Sequence, residues 1–139
     1  MNMKRVWYWW LLGVLVVGIT SCTSGSVSGS SVRCSSSARN GSCEGTYATL
    51  SGTHSQEIKN LRRTDRSATV NVHVTVDAGS VRVYTVAPDG TEPSATAAPG
   101  QPATLSGQAR ASAKAFRVYF AAGEQPASGV RYTVEYSVP

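Results

Sequence analysis

Histidine is nearly missing from this chain, with only His54 and His73, and its eight carboxylates are spread singly from Glu44 to Glu135. Paired-acid catalysis and calcium cages both need carboxylates brought together, and no stretch of the sequence clusters them. Cysteine is scarce as well. Cys22, Cys34 and Cys43 contain no CxxC spacing, and with two histidines elsewhere they do not make a zinc site. No GxSxG is present. Gly41-Ser42-Cys43-Glu44-Gly45 has a GxCxG outline but not the strand-to-helix setting of a nucleophile elbow. Nine of the 19 serines fall in residues 23–42, where nothing would hold a nucleophile still. These absences lead us to expect a chain that is not an enzyme and that carries no metal or cofactor.

Charge of one sign is also in short supply. The chain has 13 Lys and Arg against 8 Asp and Glu. Lys4 and Arg5 sit ahead of the first apolar run, so the remainder carries 11 basic and 8 acidic side chains. That excess is too small to argue for nucleic acid as a partner. A long apolar run is lacking too: Val6 to Ile19 is continuous over 14 residues, whereas a membrane-spanning helix needs about 20.

Fourteen residues behind a basic pair is instead the length of a signal-peptide core. The run ends in Ile19-Thr20-Ser21-Cys22, which resembles the lipobox of bacterial lipoproteins. The resemblance implies that the Cys22 thiol is acylated and that a peptidase cuts between Ser21 and Cys22. It implies a protein facing outside the cytoplasm, held at a bacterial membrane by fatty chains. Two or more acyl chains suffice for stable anchoring. The competing reading is an uncleaved anchor with Trp7, Trp9 and Trp10 at the interface and a chance cysteine.

The expected organisation is a signal peptide over 1–21, a lipidated Cys22 with a Ser/Gly-rich tether over 22–42, and a folded domain over 43–139. A flexible tether of that length would span about 25 Å and let the domain float clear of the headgroups. Cys34 and Cys43 flank Asn40-Gly41, a strong turn signal. In an oxidising space the pair is expected to form a disulfide; two unpaired, inert thiols are the alternative.

Beyond residue 43 the apolar pattern takes on period two, the mark of half-buried strands. Strands are expected at 45–50, 53–61, 69–76, 81–87, 103–111, 116–122 and 130–138, with 91–102 as a loop. A helical turn is the alternative within 53–61. Asp77-Ala78-Gly79-Ser80 reads as the turn of a hairpin joining 69–76 to 81–87. The fold class is therefore all-β: a small antiparallel, jelly-roll-like sandwich of about seven strands. Over roughly 45–138 its spacing is similar to bacterial pre-peptidase C-terminal modules, a likeness of pattern that carries over no functional residue.

One motif recurs. Arg-Val-Tyr appears as Arg82-Val83-Tyr84 and as Arg117-Val118-Tyr119. With each valine facing the core, Arg82, Tyr84, Arg117 and Tyr119 would share an outer face, and Arg131 would also point outward. Such a face can bind an envelope protein or stack on a glycan, since Tyr and Arg dominate interface hot spots. Plain cross-strand pairing on a solvated sheet is the other reading. A second basic cluster, Lys59, Arg62, Arg63 and Arg66, could meet anionic polymers or headgroups, or be a solvated loop.

Overall fold

The computed structural model describes residues 25–37 and 39–139. Ser21 and Cys22, where cleavage and acylation are expected, lie outside the described residues. Among the described residues, ten strands run in chain order: β1 (Ser26–Ser28), β2 (Ser31–Ser36), β3 (Asn40–Ser51), β4 (Thr53–Ile58), β5 (Ser67–Thr75), β6 (Val81–Tyr84), β7 (Ser94–Ala97), β8 (Ala103–Arg110), β9 (Phe116–Ala122) and β10 (Ala127–Ser137). They form two antiparallel sheets. One has the order β3-β10-β5-β8, with β1 and β2 both on the free edge of β3; the other has the order β4-β9-β6-β7. Successive strands from β3 to β10 therefore change sheet at every connection but β6 to β7, which is the winding of a jelly roll. No helix among the described residues is long and apolar enough to cross a membrane.

The core follows from the alternation. Ala68, Val70, Val72 and Val74 of β5 point inward, as do Val81 and Val83 of β6 and Phe116, Val118 and Phe120 of β9. β-Branched residues suit this half-buried, pleated setting. Tyr47 and Tyr132 of one sheet meet Phe120 of the other, with ring centroids 5.7 and 4.7 Å from the phenylalanine. Phe116 and Tyr136 make a second inter-sheet pair at 5.2 Å. Each such side chain, fully buried, contributes roughly 1.5–3 kcal/mol.

In β3 and β10 the inward set changes parity at one level. Gly41, Cys43, Gly45 and Tyr47 face in, and then Leu50; Tyr136, Tyr132 and Val130 face in, and then Ala127. Gly129 carries a φ of 63° at this step and packs against the Asp77 side chain. The pairing register is unchanged across this step.

Several expectations need correcting. Residues 26–36 are not tether: β1 and β2 pair with β3, although every β2 side chain is exposed. Edge pairing is satisfied by backbone hydrogen bonds alone, so a segment with little to bury still adds a strand. Asn40-Gly41 is not the turn either. Ser37 N–H donates to the Asn40 carbonyl at 2.8 Å, while Gly41 already lies in β3 beneath the Tyr136 ring. The disulfide is present: Cys34 and Cys43 sit directly opposite one another, their Cα atoms 4.1 Å apart.

Segments 69–76 and 81–87 do not form a hairpin. The N–H groups of Asp77 and Ala78 both donate to the Ser128 carbonyl, which turns the chain over the end of β10 and into the other sheet. The supposed loop 91–102 contains β7, whose small residues Ala95 and Ala97 fit beside β6. β4 stops at Ile58, and Asn60 follows with a φ of 73°.

This winding gives the sandwich two unlike ends. Gly25 and the connections at 52, 77–80, 98–102 and 123–126 lie at one end; Ser37, Arg39 and the connections at 59–66, 85–93 and 111–115 lie at the other, with Pro139.

Candidate functional site

The recurring Arg-Val-Tyr motif lands on neighbouring strands of the second sheet. Val83 and Val118 are fully buried, so Arg82, Tyr84, Arg117 and Tyr119 all face outward. Tyr84 and Tyr119 are register partners and stack, with centroids 4.9 Å apart and planes 9° from parallel. The Arg82 guanidinium lies 4.7 Å from the centre of the Tyr84 ring, a cation–π contact. Arg117 stands further along β9 and meets Glu57 of β4 at 3.7 Å. With both side chains well exposed, that ion pair contributes at most about 1 kcal/mol. Arg131 does not join this face. It belongs to β10, in the other sheet, between Thr46 and Thr75.

Next to Tyr119 the sandwich opens into a groove of about 410 Å³, bordered by Glu57, Arg110, Ala113, Phe116, Arg117 and Tyr119. It lies where the two sheets meet: Arg110 N–H donates to the Val86 carbonyl at 2.7 Å, tying the end of β8 to the chain leaving β6. One Arg110 Nη2 hydrogen bond goes to the Pro88 carbonyl at 2.9 Å. A guanidinium has five N–H donors, so most remain available. The tight turn Ser112 to Ala115 forms one wall, closed by backbone bonds of 2.9 and 3.0 Å in both directions. Its central residues, Ala113 and Lys114, have φ values of 52° and 65°. Neither is glycine or asparagine, so this wall holds strained backbone of the kind that gathers at ligand sites.

Glu57, Arg110 and the 112–115 turn escaped the reading of the sequence. Glu57 lay in the least regular strand, and the turn lacks the Asn-Gly that normally marks such geometry. The Arg110 position had no signal beyond its charge.

Charge is divided between the two ends. Connections at the Gly25 end carry Asp77 and Glu124 and no Lys or Arg. Those at the far end carry Arg39, Lys59, Arg62, Arg63, Arg66 and Lys114, all exposed, against Asp65, Asp89 and Glu92. Arg62 is partly committed: it pairs with the buried Asp65 carboxylate at 3.4 Å and donates to the Pro139 oxygen at 2.8 Å.

Other polar groups have structural partners. His73 Nδ1 lies 3.3 Å from Thr104 Oγ1 and meets no carboxylate there. Tyr47 donates to the Tyr132 hydroxyl at 3.5 Å, and Tyr132 donates to Gln56 Oε1 at 3.4 Å. Burial pushes both phenols above their ordinary range, so they stay protonated near neutrality. Among the described residues no group of three or more His, Cys, Asp or Glu is arranged to hold a metal ion.

No family model and no curated protein matches the chain. Among solved structures, the chain is similar to the enzymatically active domain of tailspike protein 4 of bacteriophage CBA120. Identity is 11% and the TM-score 0.35, over 84% of this chain and 19% of the matched chain. What the fold itself defines is a class: a jelly-roll β-sandwich with an Arg/Tyr face and one end rich in cations.

Proposed function

We propose that the chain is a lipid-anchored protein of the bacterial cell envelope, acylated on Cys22, whose non-catalytic sandwich serves binding or structure outside the cytoplasm. The Ile19-Thr20-Ser21-Cys22 motif behind a 14-residue apolar run supports the anchor. One observation shapes the reading: Ser26 is already paired with Ser51, so only Thr23, Ser24 and Gly25 separate Cys22 from the first strand. From Cys22 to Gly25 the chain can reach at most roughly 11 Å. An acylated Cys22 would hold the Gly25 end close to the headgroups in place of a domain floating on a long tether. That end, with Asp77, Glu124 and no cation, adds no electrostatic attraction to anionic lipid. The acyl chains alone would keep the molecule there.

Intact mass spectrometry of the native protein tests this. The expected mass lacks residues 1–21 and carries acyl groups and one disulfide. A chain that keeps residues 1–21, or an unmodified Cys22, would overturn the anchor.

A second reading, a carbohydrate- or polymer-binding module, is favoured by the Tyr84–Tyr119 stack beside a groove bordered by Tyr119. Aromatic side chains on a rigid sheet supply apolar contact at little entropic cost. A glycan array is expected to show saturable binding that is lost in Tyr84→Ala and Tyr119→Ala; an envelope pull-down that instead returns a protein partner, with no glycan retained, would reject it.

A further inference from the structure

We propose that the groove beside Tyr119 takes an acidic polysaccharide, its carboxylates met by Arg110 and Arg117 and its sugar rings by the tyrosine. This names the ligand class for the glycan reading of the Arg/Tyr face and rests on that reading. The groove has two arginines among its borders and one carboxylate, Glu57. Glu57 already faces Arg117 across an exposed, 3.7 Å contact. So weak a pair exchanges readily for a ligand carboxylate, which a guanidinium can hold through two parallel N–H bonds. Arg110 is oriented in advance by its bond to the Pro88 carbonyl.

Polymer length is indicated by what surrounds the groove. It is half open to solvent, and Lys114 belongs to the turn whose Ser112, Ala113 and Ala115 line it. Beyond that wall the same end of the sandwich presents Lys59, Arg63 and Arg66. A single small acid would use two cations; a chain of acidic sugars leaving the groove would pass the rest.

Position argues against a bilayer as the occupant. β9 leads from the Gly25 end at Ala122 to the groove at Phe116, and its 7 residues span roughly 20 Å. With Cys22 at a membrane, the groove and the basic loops face away from it.

The test uses the acylated chain: in detergent micelles with polygalacturonate oligomers as the probe and dextran as a neutral polymer, and without detergent with vesicles of phosphatidylglycerol or of phosphatidylcholine, into which the acyl chains insert alike. Polygalacturonate should bind saturably and weaken by about tenfold between 0.05 and 0.5 M salt, as exposed charges are screened. Arg110→Ala and Arg117→Ala should each weaken binding by roughly fivefold or more, and Arg117→Lys should recover part of that loss. Arg131→Ala, on the other sheet, should leave binding unchanged. Because all three arginines are exposed, near-UV circular dichroism should show each variant folded. Dextran bound as well as polygalacturonate, with loss only in Tyr84→Ala and Tyr119→Ala, would overturn the acidic ligand and leave the glycan platform standing. Binding of neither polymer, or a preference for phosphatidylglycerol vesicles that is lost in Arg110→Ala and Arg117→Ala, would overturn both.

Discussion

The Tyr132 ring fills the space that a Cβ on Gly45 would need. The two are cross-strand partners in β10 and β3, and Tyr136 stands in the same relation to Gly41 one repeat further along. Glycine in a strand interior is ordinarily a cost. Here it lets two phenol rings lie against the backbone of the neighbouring strand and still reach the other sheet. Gly45→Ala should therefore destabilise the fold by about 1–3 kcal/mol through overpacking. Gly90→Ala offers the contrast: nothing lies within 4 Å of its Cβ, and only its φ of 88° resists the change. Urea midpoints of the two variants should differ, with Gly45→Ala lower. Equal midpoints would mean that the ring yields easily.

The turn at Ala113 and Lys114 should be improvable. Left-handed backbone costs a residue with a Cβ on the order of 1–2 kcal/mol, and both residues adopt it. Replacing the pair by Asn-Gly, the combination such turns prefer, should raise stability by about 1–2 kcal/mol in all. Thermal unfolding would read this directly. The same replacement removes the Lys114 cation from the polymer's path, so the more stable variant should bind polygalacturonate less well than the parent.

Reducing the disulfide should free an edge and spare the core. A loop of about 10 residues is expected to contribute roughly 2.5 kcal/mol by restricting the unfolded chain. β2 has no buried side chain, so Cys34–Cys43 and the backbone ladder are what hold it. Hydrogen exchange after reduction should accelerate at the β2 amides while those of Val70, Val72 and Val74 stay protected. Uniform acceleration would show that β2 is integral to global stability.

How far the sequence could be read depended on which forces acted at each place. Val70, Val72 and Val74 alternate with polar residues because one side of β5 is core and the other is solvent. Phe116, Val118 and Phe120 mark β9 in the same way, and the face carrying Tyr84 and Tyr119 followed from those two patterns. Sheet membership left no such trace. Asp77-Ala78-Gly79-Ser80 has the composition of a hairpin turn, and only its hydrogen bonds to Ser128, 48 or more residues on, send the chain to the other sheet. β1 and β2 were hidden because backbone pairing and a disulfide, rather than side-chain burial, hold them. Half of the groove was hidden for a related reason: Arg110 and Glu57 come from strands whose registers are set by distant partners.

Alkaline pH should expose the cost of burying Tyr47 and Tyr132. Desolvation raises both phenols above the ordinary tyrosine value of about 10 that they regain on unfolding. Below pH 10 both states are protonated and the contribution to stability is complete. Above it the unfolded chain releases protons that the folded chain retains, so stability falls as pH rises toward the folded values. The slope is about 1.4 kcal/mol per pH unit for each phenol. Urea midpoints measured from pH 8 to 11.5 should hold level and then drop, and tyrosinate absorbance from these two rings should appear with unfolding rather than before it. Tyr47→Phe keeps the ring contacts with Phe120 and removes one titrating hydroxyl, so its decline should be shallower by roughly half. A decline of unchanged slope in Tyr47→Phe would mean that other groups drive the alkaline transition.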